Sequence, residues 1–187
     1  MAAVVAAPVT LALSDRHLMG ASTALVLSTT TGALAVSALA LQPLLAFGRR
    51  IARHQLLGSV ALFLVLVHVG ALFVESPDDT WFAISADGPT RARMALIATI
   101  ALLGVVTLGG LRTRLPLSPG AWRVLHAYLA IVAITLGIGH AILTDGALDG
   151  AGTKVLVVLG ALGLLGVPAA HVVRTRRACG RGASDEL

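Results

Sequence analysis

The chain has a single cysteine, Cys179, among its 187 residues, which excludes an intrachain disulfide and a thiolate metal cluster. Charge is scarce as well. Asp, Glu, Lys and Arg make up 12% of the sequence, 57% is hydrophobic, and the mean hydropathy is +0.90. Those values lie far outside the range of soluble domains, and no charged amphipathic stretch is long enough to form a water-soluble unit. Aromatic residues amount to only 4%, and the basic residues sit at the ends of apolar runs. A formal charge of +5 therefore points away from nucleic acid, which calls for a basic, aromatic-studded face. A glycine-rich phosphate loop after a strand is also lacking, so the sequence offers no flavin or nicotinamide site of its own. What remains is a membrane protein whose first partner is the lipid bilayer.

A membrane-spanning helix needs roughly 20 mainly apolar residues. Leu18 to Leu41, Leu56 to Val74, Met94 to Leu111, Ala121 to Leu143 and Val155 to Val173 meet or approach that length. The run from Ala2 to Leu13 would extend only about 18 Å as a helix, short of a core of roughly 30 Å. The expected fold is all-α: an integral membrane bundle of five full transmembrane helices plus a short or truncated N-terminal first helix. Residues 1–17 form the short apolar segment, 18–174 the bundle and 175–187 a tail.

Arginines set the expected orientation. Arg49, Arg50 and Arg53 follow the first span, Arg112, Arg114 and Arg123 lie between the third and fourth, and Arg174, Arg176, Arg177 and Arg181 follow the fifth. The opposite loops hold only Arg16, Arg91, Arg93 and Lys154. The arginine-rich loops and the C-terminus are thus expected in the cytoplasm of a bacterial inner membrane. Pro43 and Gly48 are expected to end or bend the first span. The acidic loop from Glu75 to Thr90, with Trp81 and Phe82, suits short amphipathic structure at the outer interface. Ser118 followed by Pro119 reads as an N-cap with proline at the first helical position.

The chemistry rests on histidine. His54 and His68 lie fourteen residues apart in HQLLGSVALFLVLVH, and His126 and His140 are fourteen apart in HAYLAIVAITLGIGH. Fourteen steps of about 100° fall about 40° short of four turns, so each pair lies near one helix face, with its rings roughly 21 Å apart along the axis. With one span between them, the two segments run in the same direction. His54 should then lie level with His126, and His68 level with His140. Ionisable groups inside spans are costly and usually face the bundle interior. The competing reading is that these histidines hydrogen-bond between helices or relay protons, but a relay has no need of equal intervals and the spans lack acidic partners. Zinc or copper calls for more converging ligands than two opposed imidazoles. A porphyrin supplies the other four, so bis-histidine haem b, two per chain, is the expected cofactor. Gly58 and Gly70 would leave room for a flat macrocycle, or else serve helix packing alone. For Trp122, an interfacial anchor and a contact at the haem edge both remain open. His17, at a loop boundary, and His171, near the last span's cytoplasmic end, are expected to be no ligands.

With these residues in view, Arg53-His54-Gln55-Leu56-Leu57-Gly58 and Trp122-Arg123-Val124-Leu125-His126 resemble the ferric reductase-like transmembrane domain family. That family includes the membrane parts of NADPH oxidases and the haem subunit of a bacterial methionine sulfoxide reductase system. The resemblance covers the five spans. It implies an inner haem on His54 and His126, an outer one on His68 and His140, and electron transfer across the membrane. Unlike the larger members, this sequence shows no flavin or nicotinamide domain after the last span.

The function expected is a di-haem membrane cytochrome, an electron-transfer component passing electrons from a flavin reductase or quinol to a periplasmic or extracellular acceptor. Arg53 and Arg123, with Arg49 and Arg50, are candidates to pair with propionates at the inner haem, and Arg91 and Arg93 are weaker ones at the outer. A haem-bearing anchor for a separate periplasmic reductase is the alternative, followed by a haem-free transporter or structural bundle.

Overall fold

The computed structural model describes residues 9–14, 18–47, 51–144, 150, 152, 154–155, 157–158, 160–161 and 164–165. A short helical turn, α1, occupies residues 9–13. Four long helices and one short one follow: α2 (Thr23–Phe47), α3 (Ile51–Glu75), α4 (Pro77–Ile84), α5 (Thr90–Gly110) and α6 (Pro119–Leu143). No strand occurs among the described residues. α2, α3, α5 and α6 are each long and apolar enough to cross a membrane. The expected fifth span lies largely outside the described residues. Those described between 152 and 165 are helical, and a Cβ on Gly160 would stand 2.6 Å from Ile138 Cδ1, so this segment packs closely on α6.

The long helices form two hairpins. α2 packs along α3 and α5 along α6, with further contacts of α3 with α5 and α2 with α6. Ser22, just ahead of α2, donates its hydroxyl to Glu75 at the end of α3, which ties the open end of the first hairpin. Small side chains let the helices approach closely. The central cluster draws Ala38 and Leu39 from α2, Ala61 from α3, Ala101, Leu102 and Val105 from α5, and Ala133, Ile134 and Ile138 from α6.

α2 is the most enclosed of the four and also carries the most hydroxyls. Its hydroxyls turn back on the helix: Thr30 donates to Val26 O at 2.7 Å, Thr31 to Leu27 O at 2.7 Å and Ser37 to Ala33 O at 2.8 Å. Each is thereby satisfied within its own helix. The helix begins at Thr23, later than Leu18, because Gly20 (φ 82°) makes a turn before it. It also continues through Pro43 to Phe47. So near its end, proline costs the helix only one late ladder bond.

At α6, Ser118 caps as its position implied, accepting from Ala121 N at 3.2 Å with Pro119 as first residue. α4 supplies the short helix expected between Glu75 and Thr90, and its Trp81 ring meets Phe73 edge-on at 5.5 Å.

Candidate cofactor site between α3 and α6

The four paired histidines come together as their spacing implied. His54 and His126 have ring centroids 6.1 Å apart with planes inclined at 56°, and His68 and His140 stand 6.4 Å apart at 67°. α3 and α6 therefore run parallel, and the two levels lie roughly 21 Å apart along the axes. The helices themselves do not pack on one another, since each leans on its own hairpin partner. The paired imidazoles reach across the separation between them.

That separation is informative. Even aimed straight at each other, ring nitrogens about 1.1 Å from their centroids would stand about 4 Å apart here, beyond hydrogen-bond range. A metal–imidazole bond is about 2 Å long, so two histidines on opposite sides of one ion have centroids about 6.2 Å apart. Both levels meet this requirement.

The other ring nitrogens fix the tautomers. His68 Nδ1 lies 2.8 Å from the carbonyl oxygen of Ser28 and 2.9 Å from its hydroxyl. His140 Nδ1 lies 3.0 Å from Arg91 O, and His54 Nδ1 lies 3.2 Å from Gln42 O. A carbonyl oxygen can only accept, so in each case Nδ1 carries the proton, and Nε2 of the neutral ring keeps a free lone pair. Imidazoles that bind a metal are characteristically held this way. At the His68/His140 level both rings are so disposed, and two facing acceptors cannot bond to each other. Gly32 makes the room: a Cβ there would stand 2.9 Å from His68 Nδ1 and 3.1 Å from Cε1.

The His54/His126 level opens on a cavity of about 330 Å³. Its walls are mainly apolar, with Leu39, Leu102, Val105 and Ile134 beside the two histidines, and Gly58, Gly109 and Gly110 lower its sides. Gln42 is 8% exposed, and among the described residues neither its Oε1 nor its Nε2 has a partner. His126 Nδ1 is likewise buried without a partner among the described residues. The ring lies instead against Trp122, with centroids 4.8 Å apart and planes within 19°.

Arg53 and Arg123 are exposed beside this level, and Arg123 Nε donates to Pro119 O of its own helix at 3.1 Å. Arg91 meets the other level through its backbone, as His140's acceptor, while the Arg93 guanidinium turns to Thr90 Oγ1 at 3.4 Å. Arg49, Arg50, His17 and His171 lie outside the described residues. Ser28 and Gln42 escaped the sequence reading, while Gly32 was read for packing and Arg112 for orientation alone. The nearest signal was the crowding of small and hydroxylic residues in α2.

Among the described residues, no group of three or more His, Cys, Asp or Glu side chains gathers about one point. Each level offers two imidazoles, a donor set too small for tetrahedral zinc. It suits an iron whose equatorial positions are filled by a macrocycle. Comparison with family models, with curated proteins and with solved structures gives no match.

Proposed function

We propose that this chain is a di-haem b-type membrane cytochrome, with His54 and His126 as axial ligands of one haem and His68 and His140 of a second, and that it carries electrons across the membrane. The observation behind the reading is the spacing of the two histidine pairs, 6.1 and 6.4 Å between centroids, each suited to one iron and neither suited to a direct hydrogen bond. When bound, each haem supplies a one-electron couple.

The chain's own part is to hold the rings and keep the site dry. The carbonyls of Ser28, Gln42 and Arg91 orient three imidazoles. Leu39, Leu102, Val105 and Ile134 exclude water around the His54/His126 level. Arg53 and Arg123 are proposed to pair with propionates there. Because arginine gathers at this end, we assign it to the cytoplasmic side, with the donor, a flavin reductase or quinol, arriving there and the acceptor lying outside. The local likeness of the segments around His54 and His126 to the ferric reductase-like family supports this reading.

A pyridine haemochrome assay with reduced-minus-oxidised spectra on purified protein tests this. Two haems per chain are expected, falling to one in His68→Ala and in His126→Ala. Absence of a Soret band after haem-replete expression would overturn the proposal.

A further inference from the structure

Three of the four histidines are held through Nδ1 by a backbone carbonyl, and His126 is not. Its ring must be fixed by something else, because an imidazole free to turn about its side chain presents no defined lone pair. The stack of Trp122 on His126 is the only described ring contact that could do it, apart from the facing His54.

Trp122 is itself locked from two directions. Its Nε1 donates to Leu108 O at 3.0 Å, a carbonyl in the last turn of α5. Such carbonyls have no partner within their own helix. The Arg112 guanidinium, from the turn after α5, lies over the indole 4.7 Å from its centroid. The end of α5, the connecting turn and the start of α6 thus close on one ring, and that ring lies nearly parallel to His126.

A stack and a carbonyl hold an imidazole differently. A carbonyl accepting from Nδ1–H makes the ring a more basic ligand, which favours the oxidised, more positive iron. A stacked indole withholds that hydrogen bond, and here it brings a guanidinium cation to the same level, which favours the reduced iron. Both effects act in one direction at His126, whereas both histidines of the other pair have carbonyl acceptors, so that at His140 the Arg91 cation is opposed by the hydrogen bond to its own backbone oxygen.

We propose that Trp122, capped by Arg112, is the positioning residue of His126, and that it sets the His54/His126 couple at a higher reduction potential than the His68/His140 couple. The proposal rests on the di-haem reading. Under it, an electron entering from the arginine-rich side settles first at the His54/His126 level. Its onward passage outward is uphill within the protein, to be driven by the acceptor or by the transmembrane voltage.

The test is a spectroelectrochemical titration of the purified full-length protein. Two couples are expected, and the higher one alone should survive in His68→Ala. Arg112→Gln should lower the higher couple by a factor of about ten in its reduction equilibrium, about 59 mV for one electron, and leave the lower couple in place. Trp122→Phe should retain the stack and both couples, while Trp122→Ala should shift the higher couple and change the electron paramagnetic resonance signal of that haem alone. Two bound haems with equal potentials, the reverse order, or both couples moving together in Arg112→Gln would overturn this inference and leave the di-haem reading standing. A protein without haem would overturn both.

Discussion

Replacing Gly32 by alanine should empty one level of the site and spare the other. The added methyl group would sit 2.9 Å from His68 Nδ1 and 3.1 Å from Cε1, closer than van der Waals contact allows, so the ring must move. Movement sacrifices its bond to Ser28, about 1 kcal/mol net, and crowds a packed site at a cost of about 1–3 kcal/mol. Alanine returns up to about 1 kcal/mol through its helix propensity. The balance is destabilising by about 1–3 kcal/mol. For cofactor affinity the propensity gain does not count, and displacing the group that orients a ligand typically costs 10–100-fold. Haem content measured as pyridine haemochrome should therefore fall from two towards one per chain, with the His54/His126 spectrum retained. Gly137→Ala is the control, since its methyl group would meet only Leu39 Cδ1 at 3.8 Å, an ordinary contact. Two haems and unchanged spectra in Gly32→Ala would refute the reasoning that Gly32 is glycine for the sake of His68.

Two further substitutions probe the scaffold around the site. Gln42→Leu should stabilise the haem-free protein by about 1–3 kcal/mol in detergent unfolding, because it removes buried amide atoms that have no partner; a loss of stability would mean that the amide is satisfied. Ser118→Ala should cost about 1 kcal/mol by removing the cap on α6, the helix that carries His126 and His140. Unchanged stability in the same assay would show that Pro119 alone starts the helix.

The helix that carries no candidate ligand has a large share in shaping the site. α2 contributes no histidine, yet through Ser28, Gly32 and Gln42 it meets a histidine of α3 at each level. Its low content of bulky side chains lets its backbone come close enough for carbonyl oxygens to reach imidazole nitrogens. α5 does the same for α6, through Arg91 at one end and Leu108, by way of Trp122, at the other. Each histidine-bearing helix is therefore oriented by its own hairpin partner, and α3 and α6 are left facing each other across the space between the hairpins.

The sequence by itself determined four of the expected spans, because apolar length is a local property, and it determined the start of α6, because Ser118 and Pro119 act within one turn. It also determined which histidines would meet: equal fourteen-residue intervals on two parallel helices allow one register that matches both pairs at once. Only the tertiary structure decided what holds those histidines. Three of the four supports are backbone carbonyls, from residues 12, 40 and 49 positions away, and every residue has a carbonyl, so no side-chain pattern can mark the one that will be used. Gly32 could have been glycine for packing alone, and Trp122 an anchor at the interface. Their roles arise from a ring on another helix or a carbonyl at another helix end, and such neighbours exist only once the two hairpins have packed together.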